Sequence, residues 1–342
     1  MIEKVKPILF AFVALMAASL ASRAHAQDFF KDKTLTFIVG YSPGGTYDQY
    51  TRLIARHINK HLSGNPTRIV ENMPAPVASS RQIIFNRVKP DGLTIGAWAS
   101  PLILQHVMGN EATKFDGRKV GWVGIPGPYD TACHFNRESG IRTMDDWLTA
   151  KRPLKIASIG PGTSLSDVPK LIKAALNLPL DMVEGYKGGA EARLAVESGE
   201  VDGLCASWQA TKVTWRSQME SGKIAVVLQA TLKSHPDLKK VPLAINYAKT
   251  EEAKTLLRVA DNVHVYQFPY SVAPGTPADR LKVLQQAFVK TLRDPELAAE
   301  AKKADLEVAP IDGPTTTKTF ASLYELNPSL IAKLTDILIP KR

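Results

Sequence analysis

From Thr34 onward, short β-branched runs alternate with stretches whose apolar residues recur at helical spacing. Thr34–Val39 (TLTFIV) reads as a buried strand ending in the turn Gly-Tyr-Ser-Pro-Gly-Gly-Thr. A helix is expected from Tyr47 to Leu62, with Leu53, Ile54, Ile58 and Leu62 along one face and Ser63-Gly64-Asn65-Pro66 as its stop. Arg68–Glu71 reads as a strand, Ser79–Val88 as a helix, Pro90-Asp91-Gly92 as a turn, and Leu93–Ala99 as a third strand. This βαβαβ order implies a parallel sheet covered by helices. A second unit repeats it. Leu154–Ile159 is a strand, Gly160–Ser164 a turn, and Asp167–Leu176 a helix. Strands are expected at Asp181–Tyr186, Asp202–Ser207 and Ile224–Ala230, with a helix over Ala190–Ser198. A long charged helix, Ala278–Lys303, breaks near Asp294-Pro295, and a last helix covers Pro328–Leu338. No repeat of solenoid length occurs.

At 342 residues the chain is long enough for two domains, each with its own core. Two cysteines exclude a disulfide-dense scaffold and multi-cysteine metal sites. Before the first strand, Lys4 and Lys6 precede an apolar run from Ile8 to Leu20, and Ala24-His25-Ala26 supplies small residues at −3 and −1. This is the pattern of a secretory signal peptide over residues 1–26, cleaved near Ala26. The run, about 13 residues, is too short to span roughly 30 Å of hydrocarbon. Losing Lys4, Lys6, Arg23 and Glu3 changes the net charge from +10 to +8. Export leads to an oxidising space, where Cys133 and Cys205 either pair or stay as buried thiols; spacing leaves both open.

Each unit places a glycine-rich turn between a strand and a helix. Such turns leave backbone N–H groups free at the positive end of the helix dipole. In Ser42-Pro43-Gly44-Gly45-Thr46-Tyr47-Asp48 the glycines permit close approach of a ligand, and Thr46 offers a hydroxyl and a candidate N-cap. A strand–helix turn that simply needs glycine explains either motif equally well. Two such turns facing across a cleft make an anion site.

Enzyme signatures fail. There is no Walker A loop; Leu165 stands where a third glycine of G-x-G-x-x-G belongs, and Gly162–Ser166 lacks the last glycine of a nucleophile elbow. His57 and His61 share a helix face without the glutamate of H-E-x-x-H, which favours a solvated face over a metal pair. Cys133-His134 has no placed base or oxyanion hole. Basic residues are scattered among acidic ones, so nucleic acid is a poor partner.

Several segments in order, "LTFIVGYSPGGTYDQYTRLIARHI", "VENMPAPVASS", "KPDGLTIG", "IASIGPGTS" and "GYKGGAEARLAVESGEVDG", resemble the tripartite tricarboxylate transporter receptor family, the Bug solute-binding proteins. The resemblance implies a periplasmic α/β protein of two domains with parallel-rich sheets, a Venus flytrap of the type II-like kind. Domain 1 is expected over 27–125 and 240–342, and domain 2 over 126–239. The chain is expected to cross near Gly124–Asp130 and return around Thr231–Leu243. The family is not enzymatic; it captures a small organic acid or amino acid and delivers it to membrane permease subunits. No cofactor or metal is implied, and a monomer is expected. Carried over by motif, the ligand contacts are Ser42, Gly44, Gly45, Thr46 and Asp48; Ala78 and Ser79; Ser158, Gly162, Thr163 and Ser164; Tyr186 and Gly188; and Asp202. The chain departs from the family at Pro74–Arg81, where a glycine-rich stretch is replaced; Pro76 has no N–H to donate, and Arg81 either compensates or points to solvent. Ser166 stands where many relatives carry a histidine. A sensor that docks on a signalling receptor and a secreted α/β hydrolase are the alternatives.

Overall fold

The computed structural model describes residues 29–41, 43–73, 87–110, 113, 115–264 and 266–339. The signal segment, Ser42, Ala78, Ser79, Arg81 and most of the helix expected at Ser79–Val88 lie outside the described residues.

In the first lobe β1 (Thr34–Val39) leads to α1 (Thr46–His57), β2 (Thr67–Asn72), β3 (Thr94–Ala97), α2 (Pro101–Val107) and β4 (Gly121–Ile125). The chain then enters the second lobe: β5 (Thr131–Asn136), α3 (Met144–Leu148), β6 (Leu154–Ser158), α4 (Ser164–Leu176), β7 (Leu180–Glu184), α5 (Gly189–Glu197), β8 (Gly203–Ser207), α6 (Trp208–Thr214), α7 (Arg216–Glu220) and β9 (Ile224–Gln229). It returns through α8 (Glu251–His264) to β10 (Tyr270–Val272), α9 (Ala278–Leu292), α10 (Pro295–Lys303), β11 (Ile311–Asp312), α11 (Gly313–Ser322) and α12 (Pro328–Leu338).

The strands form two sheets, ordered β11-β4-β10-β3-β1-β2 and β7-β6-β8-β5-β9. β1 is parallel to β2 and β3, with Phe37 beside Val70 and Ile95. β6 is parallel to β7 and β8. The antiparallel members, β10 and β5, tie each sheet to its later strands. Both expected parallel units are therefore present, and each glycine turn leaves the carboxyl end of a central strand. That end is where open α/β sheets place their ligands.

Element ends differ from the sequence reading in small, explicable ways. α1 gives way at His57 to a single tighter turn, Ile58–Lys60. α4 starts at Ser164 rather than Asp167, because Thr163 takes the extended N-cap conformation. β4, β5, β10 and β11 carried no clear signal. β5 (TACHFN) is buried at every position although half of it is polar, and β10 is three residues long. Asn136 Nδ2 donates to the Val196 and Val201 carbonyls, while Thr131 Oγ1 is buried without a partner. His134 is fully buried, its Nε2 lies 3.0 Å from the Thr211 hydroxyl, and burial pushes its pKa down to about 4.

Phe37, Tyr50, Leu53, Ile54, Phe268, Tyr270 and Phe288 fill the core of the first lobe. Phe135, Trp147, Ile156 and Val168 lie on one face of the second sheet, and Leu165, Val196, Leu204 and Trp215 on the other. A further apolar cluster crosses the boundary. Leu171 of α4 packs with Trp98, Leu102, Leu256, Val259, Leu334 and Leu338, while Leu257 of α8 joins the core of the second lobe. Among the described residues no helix is long and apolar enough to cross a membrane.

Cys133 and Cys205 stand opposite each other on β5 and β8 and are joined by a disulfide, 72 residues apart in sequence. A cross-link closing a loop of this size constrains the unfolded chain by about 2–4 kcal/mol. The double substitution Cys133→Ala/Cys205→Ala is expected to lower the free energy of unfolding by that amount in urea titrations. The native far-ultraviolet dichroism should survive.

Candidate functional site

The corner after β1 is held by a carboxylate. Gly44 turns the chain at φ +81°, Gly45 is the extended N-cap of α1, and Asp48 sits in the first helical turn at 3% exposure. Asp48 Oδ2 accepts from the Gly44 N–H at 2.9 Å and from Arg52 Nε at 2.9 Å. Its Oδ1 accepts from Asn72 Nδ2 at 2.9 Å, and Asn72 also donates to the Tyr41 carbonyl. Burial works to raise the Asp48 pKa. Arg52, the Gly44 N–H and Asn72 together outweigh it and hold the carboxyl below the usual range. The cap expected of Thr46 is thus supplied by the backbone at Gly45, and the Thr46 hydroxyl makes no hydrogen bond to a described residue.

The corner after β6 repeats this design. Gly160 and Gly162 adopt φ +142° and +79°, and the Thr163 hydroxyl donates to the Gly160 carbonyl at 2.7 Å. Asp167 Oδ1 accepts from the Gly162 N–H at 3.0 Å. Asp167 is fully buried, and burial, only partly offset by Gly162, Lys170 and Gln105, pushes its pKa up to about 7.

The second corner meets the first lobe. A Cβ on Gly162 would sit 3.2 Å from Leu102 and 3.3 Å from Gln105, so the backbone can approach α2 only because no side chain intervenes. The Ser164 hydroxyl donates to Tyr129 Oη at 2.7 Å, from the segment that joins the lobes. Tyr129, Tyr47 and Tyr50 all pack on Phe268, and Tyr41 stacks on Tyr47 with centroids 4.1 Å apart. Tyr47 Oη donates to the Gln267 carbonyl at 2.9 Å and accepts from Gln267 Nε2 at 2.7 Å.

Around these groups several buried polar atoms have no partner: Ser158 Oγ, Asp167 Oδ2, Gln105 Nε2, Gln267 Oε1 and both ring nitrogens of His264. Burial pushes the His264 pKa down to about 3, so the ring is neutral. An unpaired buried polar group costs about 1–3 kcal/mol. Ser158, Asp167 and Gln105 lie at the second corner and Gln267 beside Tyr47 of α1, and unpaired groups there mark a place for polar atoms that arrive from outside the chain.

Behind the corners a second polar network crosses between lobes. Glu307, which precedes β11, accepts from Gln209 Nε2 at 2.9 Å and Lys212 Nζ at 3.0 Å, and pairs with His235 Nε2 at 3.0 Å. Gln209 also donates to Asp130 at 2.6 Å. Asp130, His235 and Glu307 bring possible metal-ligating atoms within 4.8 Å of one another, but Lys212 and Gln209 already engage these carboxylates.

The structure therefore brings Gly44, Gly45, Thr46, Ser158, Gly162, Thr163 and Ser164 to the two corners, with Asp48 buried beneath the first as its clamp. Tyr186 flanks the second corner through its N–H to the Ser158 carbonyl, but its hydroxyl is turned to Glu200 at 2.6 Å. Gly188 is the extended N-cap of α5. Asp202 does not join them. Arg152 grips both its oxygens at 2.6 and 2.7 Å, and the Lys155 N–H adds a third bond, at the opposite end of β6 from Ser158. Tyr41, Tyr47, Gln105, Tyr129, Asp167, His264 and Gln267 were not anticipated. Asp167 had a readable signal: it follows Gly162 much as Asp48 follows Gly44.

The hydrolase alternative loses its reagents. Cys133 is oxidised, Ser164 is bonded to Tyr129, and His134 and His235 are engaged by Thr211 and Glu307. His57 and His61 pair with Glu300 and Asp294 of the neighbouring helix region rather than with a metal or solvent alone.

The raised pKa of Asp167 has a measurable consequence. Between its unfolded value near 4 and about 7 the native state holds an extra proton, so its contribution to stability declines as pH rises through that window. Asp167→Asn removes this penalty. The melting temperature of the variant relative to the parent is expected to increase from pH 5 to pH 8, by an amount equivalent to a few kcal/mol at most. A pH-independent difference rules the assignment out.

The sequence profile described as "Tripartite tricarboxylate transporter family receptor" matches residues 50–335. A protein of Pseudomonas sp. (strain P51), "UPF0065 protein in tcbD-tcbE intergenic region", is 24% identical over 302 residues, 87% of this chain and 85% of the relative. The solved structure of the periplasmic binding protein BugD superimposes with a TM-score of 0.69 at 17% identity, covering 90% of this chain and 98% of the other. MatC (Rpa3494) from Rhodopseudomonas palustris with bound malate does so with a TM-score of 0.66 at 18% identity, covering 90% and 99%. These folds are two-lobed periplasmic binding proteins, and the family is one of solute-binding receptors rather than enzymes. By the extent of the profile match, this chain belongs to the tripartite tricarboxylate transporter receptor family.

Proposed function

We propose that the chain is exported by cleavage near Ala26 and serves as a receptor for a small carboxylate-bearing solute, which it passes to membrane permease subunits. The lobes correspond to 27–125 with 240–342, and to 126–239. The observation that carries this reading is a pair of glycine corners, each clamped by a first-turn aspartate and linked through Tyr47, Phe268, Tyr129 and Ser164, with unpartnered buried polar atoms beside them. Backbone N–H groups at the starts of α1 and α4, with the hydroxyls of Thr46, Ser158 and Thr163, supply carboxylate donors. Ser42, Ala78 and Ser79 belong to the same cradle by motif. The malate held by MatC, a protein of similar fold, supports an organic acid as the ligand class. The net charge of +8 after cleavage draws anions toward the cleft, within the screening length of about 8 Å in physiological salt.

Binding proceeds by closure of the lobes on the solute, which shifts the population from open to closed forms. Tyr129 lies on the joining segment and touches both lobes, so it senses their relative position.

A thermal-shift series with organic acids, amino acids and uncharged analogues tests the reading. An acid at 100 times its Kd is expected to stabilise the protein by about 2.7 kcal/mol. Stabilisation by uncharged compounds alone overturns it. Thr46→Ala removes one hydroxyl donor to a charged group and is expected to weaken acid binding about tenfold. The melting temperature without ligand should hardly change, because Gly45 provides the cap.

A further inference from the structure

The two aspartate clamps differ at one atom. Asp48 spends both oxygens inside its own lobe, on Gly44, Arg52 and Asn72. Asp167 spends only Oδ1, on Gly162; its Oδ2 is fully buried without a partner. Facing it from the other lobe is Gln105 of α2, whose side chain rests against Gly162 and is near enough to act on the Asp167 carboxyl. Gln105 Oε1 is taken by Asn110 Nδ2 at 2.9 Å, which fixes the amide and leaves Nε2 buried without a partner. A buried donor from the first lobe and a buried acceptor from the second therefore lie near one another, and neither has a partner at normal hydrogen-bond geometry.

Resting on the receptor reading above, we propose that a hydroxyl of the bound acid inserts between these two groups, accepting from Gln105 Nε2 and donating to Asp167 Oδ2. The receptor then selects hydroxy acids over otherwise identical acids. The chemistry of the pair is what discriminates. A hydroxyl is both donor and acceptor, so it satisfies both groups at once. An ammonium only donates, which leaves Gln105 Nε2 unpaired, and a methylene satisfies neither. Sites built to hydrogen-bond a hydroxyl reject the analogue lacking it far more strongly than apolar pockets reject a missing methylene. Because the partners come from different lobes, the same hydroxyl also joins the lobes, so selection and closure are one event.

Isothermal titration of the purified protein at pH 8, where the Asp167 carboxyl is ionised, with matched acids decides the matter. Succinate, malate and aspartate share one skeleton and differ at one carbon; propionate, lactate and alanine give the same comparison in a shorter acid. In whichever series binds, the hydroxy acid is expected to bind at least tenfold tighter than both its companions. Asp167→Asn keeps an oxygen for the Gly162 N–H but replaces the free acceptor by a donor; it is expected to erase most of that preference. Gln105→Met removes the donor from the opposite lobe at similar volume and should do the same, which keeps the test open should the first variant fail to fold. Equal affinity for hydroxy and plain acids, or a preference untouched by both variants, overturns the proposal and leaves the carboxylate reading standing. Failure of every acid in both series overturns both.

Discussion

A carboxylate in the first turns of a helix, reaching back to the N–H of a glycine, holds each of the two corners in shape. Without it a loop such as Gly44–Thr46 has too many accessible conformations to present its amides in one direction. The bond costs the fold a buried acid in each lobe, and the lobes meet that cost differently. In the first, Arg52 and Asn72 keep Asp48 ionised. In the second, no cation bonds to Asp167, and its proton affinity rises instead. One design thus yields a rigid corner in one place and a titratable one in the other.

The rest of the architecture joins the second corner to the first lobe. Parallel pairing of β1 with β2 and β3, and of β6 with β7 and β8, points both strand ends the same way within their sheets. The bare backbone at Gly162 then permits contact with α2, and Tyr129 and Phe268 seal the junction from the side. The Glu307 network adjoins this seal through Asp130 and Tyr50 and uses side chains from α6 and from both connecting segments.

The parallel units were legible because β1 and β6 are short apolar runs ending in glycine turns, a combination that few other local structures produce. The broken helix at Asp294-Pro295 was legible for a similar reason: Asp294 caps and Pro295 starts the next helix, as their chemistry requires. The antiparallel strands were not, because β5 buries the polar residues Thr131, His134 and Asn136, and the groups that bond His134 and Asn136 lie far away in sequence. The same limit applies at the site. Motif spacing picked out both glycine turns, and it also selected Asp202, which Arg152 and the Lys155 N–H hold at the far end of β6 from Ser158. It passed over Gln105, which gains its setting only once α2 meets Gly162, and Gln267, whose partner Tyr47 lies 220 residues away in sequence.

The apolar seam between lobes carries a mechanical implication. Leu256 and Val259 on one side of α8 and Leu257 on another adhere to different cores, and Leu334 and Leu338 grip α4 from beyond the chain's return. Such oily surfaces resist being pulled apart, since separation wets them, yet they slide past one another at little expense. Relative displacement of the two halves should consequently resemble the shear of packed helices more than the swing of a door on a bare strand.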